Sequence, residues 1–150
     1  KLLFDDGKFQ VISNQTWYEP GQETATDGQQ PIDVSYTILA LSTFYQYTKL
    51  KSYLIKMKTA FDWYLGKNSL NQIVYNPVSG GCQDGLEANG VNINQGAEST
   101  VTYLMARNQM EIHFKLNTSN IEYKNSPTPK NLNYDSFRTL QASKSSSAQR

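Results

Sequence analysis

Between Pro31 and Leu65 apolar side chains return every three or four residues with one brief break, which commits the middle of the chain to two packed helices. Pro31 suits a first helical turn, because its φ is already helical and its missing N–H would have no intrahelical partner there. Ile32, Tyr36, Leu39 and Thr43 mark one side of the first helix, and Ile38, Leu41 and Tyr45 widen its apolar surface. Leu50, Tyr53, Leu54, Met57, Ala60, Phe61, Tyr64 and Leu65 continue the spacing in a second helix, with Gly66 as its natural C′ residue. So short a connection predicts an antiparallel αα-hairpin, with the aromatic stripe Tyr53, Phe61 and Tyr64 in its core.

A third helix is predicted from an N-cap at Asn94 to about Phe114, with Ala97, Val101, Leu104, Met105 and Ile112 as its buried face. Upstream, Asp6-Gly7 between apolar residues reads as a small N-terminal β-hairpin over Phe4–Ile12. Residues 14–30 read as loop, and 67–93 as a long segment with one strand-like run, Gln72-Ile73-Val74-Tyr75. The expected class is mainly α: an αα-hairpin plus a third helix with long loops, in one domain over residues 1–114. Residues 115–150 lose periodicity and carry seven serines, Pro127, Pro129 and scattered lysines, the composition of a basic, weakly ordered extension.

Charge is divided unevenly along the chain. Residues 1–114 carry eight basic against eleven acidic side chains, a net −3, and residues 115–150 six against two, a net +4. An acidic body offers no footprint for nucleic acid, whose phosphates demand clustered Lys and Arg. No stretch approaches the ~20 apolar residues of a membrane helix and none reads as a signal peptide, so a soluble, cytoplasmic molecule without a membrane partner is expected.

Five of the nine glycines fall between positions 80 and 96, among amides and carboxylates, where the chain opens into the third helix. Such a cluster permits positive φ and close backbone approach, and marks the working surface. Asp84 and Glu98 are its carboxylates. Asp84 is either a turn residue accepting backbone N–H groups or one of a catalytic pair; Glu98, in a helical first turn, starts as an anion and acts as base or acceptor, or as a capping group. Paired across a cleft they would suit glycoside chemistry. Gln83, Asn92, Asn94, Gln95 and Ser99 are neutral groups that recognise sugar hydroxyls, and Trp17, Tyr18 and Tyr75 offer faces for stacking on a sugar or for anchoring loops.

No pattern calls for a metal or cofactor. Cys82 has no companion cysteines and no nearby base, and no phosphate-binding loop is present. His113, the only histidine, closes an apolar helix and reads as packed or facing the helix dipole.

Several pieces, in order, resemble the bacterial (α/α)-toroid proteins of the six-hairpin glycosidase-like type, found alone or fused to glycosyltransferases. They are Asp6-Gly7-Lys8-Phe9, Asn14 with Trp17-Tyr18, Gln29-Gln30-Pro31-Ile32, Ala60 through Asn68, Tyr75-Asn76-Pro77, Gly80 through Leu86, and Val91 through Thr100. The resemblance implies a partial toroid, its C-terminal portion, whose rim loops build a carbohydrate-facing cleft. It transfers no mechanism: motif position alone points to Gln29, Gln30, Asp33, Asp84, Asn94, Gln95 and Glu98 as residues that line the cleft. If the chain is catalytic, Asp84 and Glu98 are the preferred pair, and Trp17, Gln83 and Asn92 join Gln29, Gln30, Asp33, Asn94 and Gln95 as substrate-binding candidates. The implied partners are an oligosaccharide, and a glycosyltransferase or a second copy to cover helix faces left bare by so few helices. Two functions follow: a glycosidase-like enzyme, or a module that binds glycan or docks on a glycosyltransferase without turnover.

Overall fold

Helix α1 (Pro31–Thr48) begins at the expected proline and ends at Lys49, which turns left-handed (φ 59°) and donates its N–H to Tyr45 O at 2.8 Å. The computed structural model describes residues 3–5, 7–15, 19–21, 25 and 27–114. Two residues later α2 (Lys51–Phe61) starts back. Just past its end, the Trp63 indole donates to Gln29 Oε1 (2.7 Å) and the Tyr64 hydroxyl to Pro31 O (2.7 Å), so the close of α2 lies beside the start of α1. The antiparallel αα-hairpin is present.

Helix α2 is shorter than its apolar spacing predicts, and Gly66 (φ 102°) is not its cap. The Asn68 amide explains the early exit: it donates to Trp63 O and Gln72 O at 2.8 and 2.6 Å and accepts from the Leu70 and Gln72 N–H groups, pulling residues 62–66 into consecutive turns. Asp62 anchors the same corner through Lys58 (3.0 Å) and Lys67 (2.7 Å).

Helix α3 (Ala97–Phe114) runs parallel to α1, and α1 packs against both other helices. Ser35 Oγ donates to Thr102 O (2.7 Å) and Ser42 Oγ to Gln109 Oε1 (2.8 Å); both pairs are 67 positions apart, a constancy only co-directional helices allow. Ser42 Oγ also lies 2.7 Å from His113 Nε2, and Tyr45 meets that ring edge-on, so the histidine is packed.

The face that α3 buries corrects the sequence expectation. Val101, Leu104, Met105 and Ile112 are 55%, 49%, 39% and 58% exposed, whereas Ser99, Thr102, Tyr103, Ala106 and Met110 are buried. Small side chains opposite Ser35 and Ser42 let the two backbones approach, and each buried hydroxyl finds an acceptor. The bulky stripe is left uncovered, as are Tyr36, Phe44 and Tyr47 of α1.

Aromatic rings fill the centre. Tyr103 stacks with Phe61 (6.1 Å) and Tyr75 (5.1 Å), nearly parallel to each, and meets Tyr64 edge-on at 5.1 Å. Cys82 is buried beside this cluster, and desolvation, then the Asp84 charge, push its thiol up to about 12.

The expected N-terminal hairpin, β1 (Phe4–Asp5) with β2 (Lys8–Phe9), pairs Phe4 with Phe9 and Asp5 with Lys8, and β2 packs on α2. Residues 67–93 are not loop throughout, because β3 (Gly85–Glu87) and β4 (Gly90–Asn92) form a second antiparallel hairpin there. Gln72–Tyr75 is no strand; Tyr75 contributes one isolated bridge to Cys82. Among the described residues no helix is long and apolar enough to cross a membrane.

Candidate functional site at the paired helix starts

Because α1 and α3 run the same way, their first turns stand side by side, and the glycine-rich stretch folds over both. Gln83 N–H reaches back to Val74 O (2.8 Å), which lays residues 82–84 along the extended chain at Val74–Tyr75. Strand β3 is then clamped from two sides, by β4 and by a bridge in which Gln29 and Leu86 exchange backbone bonds of 3.0 and 2.9 Å. Alternation along β3 sends Leu86 into the core, 1% exposed, and leaves Glu87 at the surface.

Between these elements lies an open cavity of about 400 Å³, lined by Gln29, Gln30 and Pro31 at the start of α1, by Gly96–Ser99 at the start of α3, by Asp84, Glu87 and Asn92 from the hairpin region, and by Asn14 and Gly28. Six residues singled out in the sequence therefore meet at one place: Gln29, Gln30, Asp84, Asn92, Glu98 and Ser99. Gln83, Asn94, Gln95 and Asp33 are neighbours that do not line it, and Trp17, like Tyr18, lies outside the described residues.

Asp84 holds the site together. Its Oδ1 accepts from the Gly96 N–H (2.8 Å) and the Ser99 hydroxyl (2.7 Å), and its Oδ2 from the Asn94 amide. It thereby caps α3 from a distant part of the chain, a role the sequence suggested for Asn94, whose side chain instead braces the carboxylate. The Ser99 hydrogen bond, followed by those from Gly96 and Asn94, holds its carboxyl below the ordinary range. A carboxyl depressed on folding contributes stability that is present above the unfolded value near ~3.9 and is lost as pH falls through the folded value. Urea midpoints of the native protein are accordingly expected to drop below about pH 4 more steeply than those of Asp84→Asn; parallel pH profiles would contradict the tether.

Gln29 lines the cavity with its backbone, while its side chain is 5% exposed and turned inward to accept from the Trp63 indole and donate to Ser69 Oγ (3.2 Å). Gln95 Oε1 accepts from Ser79 Oγ at 2.6 Å. Asp33, in the first turn of α1, is exposed by area, yet nearby atoms desolvate its carboxyl and hold it above the ordinary range. Glu98 differs from all of these. Its carboxylate is exposed, and among the described residues it accepts no side-chain or backbone hydrogen bond. Tyr75, a stacking candidate, spends one ring face on Tyr103.

Two lining residues with polar side chains went unassigned as site residues in the sequence: Glu87 and Asn14. For Glu87 the available signal was the alternation Gly85-Leu86-Glu87, in which an inward leucine turns its neighbour outward. Among the described residues no group of three or more His, Cys, Asp or Glu is arranged to hold a metal ion, so Asp84, Glu87 and Glu98 share a cavity without forming a metal cage. Protein-family models give no match to this chain, and a search of curated proteins likewise finds none.

Proposed function

We propose that this chain is part of a carbohydrate-active, glycosidase-like helical toroid of bacterial glycan metabolism, and that the cavity at the paired helix starts receives a glycan. The observation that carries the reading is the convergence of amides and carboxylates, with Glu98 free, on a cavity of about 400 Å³. That size lies toward the lower end of the roughly 300–1,000 Å³ usual for small-molecule sites. Two further features support it. The antiparallel hairpin α1–α2 followed by α3 running parallel to α1 has the helix directions that successive hairpins of an (α/α) toroid would require. The bare stripe Val101, Leu104, Met105 and Ile112 suits a neighbour, whether more helices, a glycosyltransferase or a second copy.

In a hydrolytic cycle Glu98, exposed on the cavity in the first turn of α3, is the group able to take a proton from a water attacking the sugar ring, the leaving glycosidic oxygen gaining its proton from solvent. Asp84, kept anionic by its three donors, faces the positive charge that builds on the sugar ring. A second reading, glycan binding without turnover, is favoured by that same anchoring, since a tethered carboxylate has little freedom to attack or to relay protons.

A panel of oligosaccharides, followed by calorimetry for binding and by reducing-end release for hydrolysis, separates these. Turnover that vanishes in Glu98→Gln supports the enzyme; binding without turnover in the native chain supports the module; a panel with neither rejects the carbohydrate reading.

A further inference from the structure

The cavity is one-sided in charge, and so is the chain that builds it. Phe9–Thr48 and Asn68–Ala106, which supply every lining residue, together contain seven acidic residues and not one Lys, Arg or His. Three of those carboxylates, Asp84, Glu87 and Glu98, line the cavity itself. The ion pairs formed among the described residues, Lys58 and Lys67 with Asp62 and Arg107 with Glu111, all lie elsewhere. Two helix starts face the cavity, and each brings a partial charge of about +0.5. They do not reverse the balance: Asp33 and Glu98 occupy the first turns, and Asp84 already takes the Gly96 N–H at the start of α3. With Gln30, Asn14 and Asn92 supplying neutral amides, the site can satisfy hydroxyls and ammonium groups, whereas an anion would meet carboxylates that, among the described residues, no cation pairs with.

Building on the carbohydrate reading, we infer that the cavity selects glycans bearing free amino groups and rejects phosphorylated, sulfated or uronic acid sugars. A protonated amine offers three N–H donors, which Glu87 and Glu98 accept as charge-assisted bonds from the two rims of the cavity. Glu87 has only a marginal 3.5 Å contact from the Asn92 amide to give up. Attraction between solvated charges of this kind is modest, on the order of tenfold in affinity at low salt, and it fades once the Debye length falls to about 3 Å in molar salt.

Two matched series test this with the 150-residue chain by calorimetry: β-1,4 tetramers of glucosamine, glucose and glucuronate, and α-1,4 tetramers of galactosamine, galactose and galacturonate. In the series that binds, the amino sugar is expected to bind about tenfold tighter than the neutral one at low salt, and the uronate more weakly than both. The ratio between amino and neutral ligands should collapse in molar salt and narrow in Glu87→Gln. Equal affinities for amino and neutral tetramers at low salt, or a uronate that binds best, would overturn the inference while leaving a carbohydrate site in place. Failure of all six ligands would remove both.

Discussion

Gly85→Ala is expected to destabilise the protein by about 3 kcal/mol or more, lowering the melting temperature by about 10 °C or more. Gly85 sits at φ 153°, and a Cβ built there would lie 2.3 Å from Gln29 O, a backbone atom with no rotamer to move aside. That oxygen accepts the Leu86 N–H, so relieving the clash opens the bridge joining the start of α1 to β3. Gln29 also accepts from the buried Trp63 indole, and displacing it orphans a donor in the core. Gly80→Ala is the control for left-handed backbone without a clash: Gly80, at φ 75°, has nothing within 4 Å of its Cβ, and the substitution costs only about 1–2 kcal/mol. Thermal or urea unfolding of the two variants decides it, and equal losses would show that the bridge is not a structural clamp.

Glu98→Gln carries the largest expected effect on activity, a fall in kcat of about 10²–10⁴-fold if the chain hydrolyses glycans. The substitution keeps size and removes the basic carboxylate, and because no described residue relies on that group, stability should change by no more than about 0.5 kcal/mol. Asp84→Asn is expected to behave in the opposite manner, losing stability because an amide cannot accept from Gly96, Ser99 and Asn94 together. Undiminished turnover in Glu98→Gln, measured on a substrate the native chain cleaves, would exclude Glu98 as the general base.

Helix positions were legible because hydrophobic spacing reports them directly, and Pro31 supplied a chemical start. The inward face of α3 was not, since spacing rewards bulk and the packed side is made of Ser99, Thr102 and Ala106 with Tyr103 and Met110. What decides that face is the presence of Ser35 and Ser42 opposite, a fact about two helices rather than one. The site shows the same division. Glycine-amide clustering pointed to the right segments, and five of the ten proposed residues line one cavity. Direction within those segments depends on pairing: only the Gln29–Leu86 bridge turns the Gln29 amide inward, and only the pleat of β3 turns Glu87 out. A cap supplied by Asp84 to a helix that starts at Ala97 is likewise invisible to any local pattern.

The lone thiol of Cys82 gives the molecule an internal clock. Alkylating reagents attack the thiolate, and a fully buried sulfhydryl pushed up to about 12 is almost never in that form while the fold is closed. Labelling therefore requires an excursion in which the Cys82 segment lifts away from Val74–Tyr75, and the reagent's uptake rate reports how much of the time that segment is open.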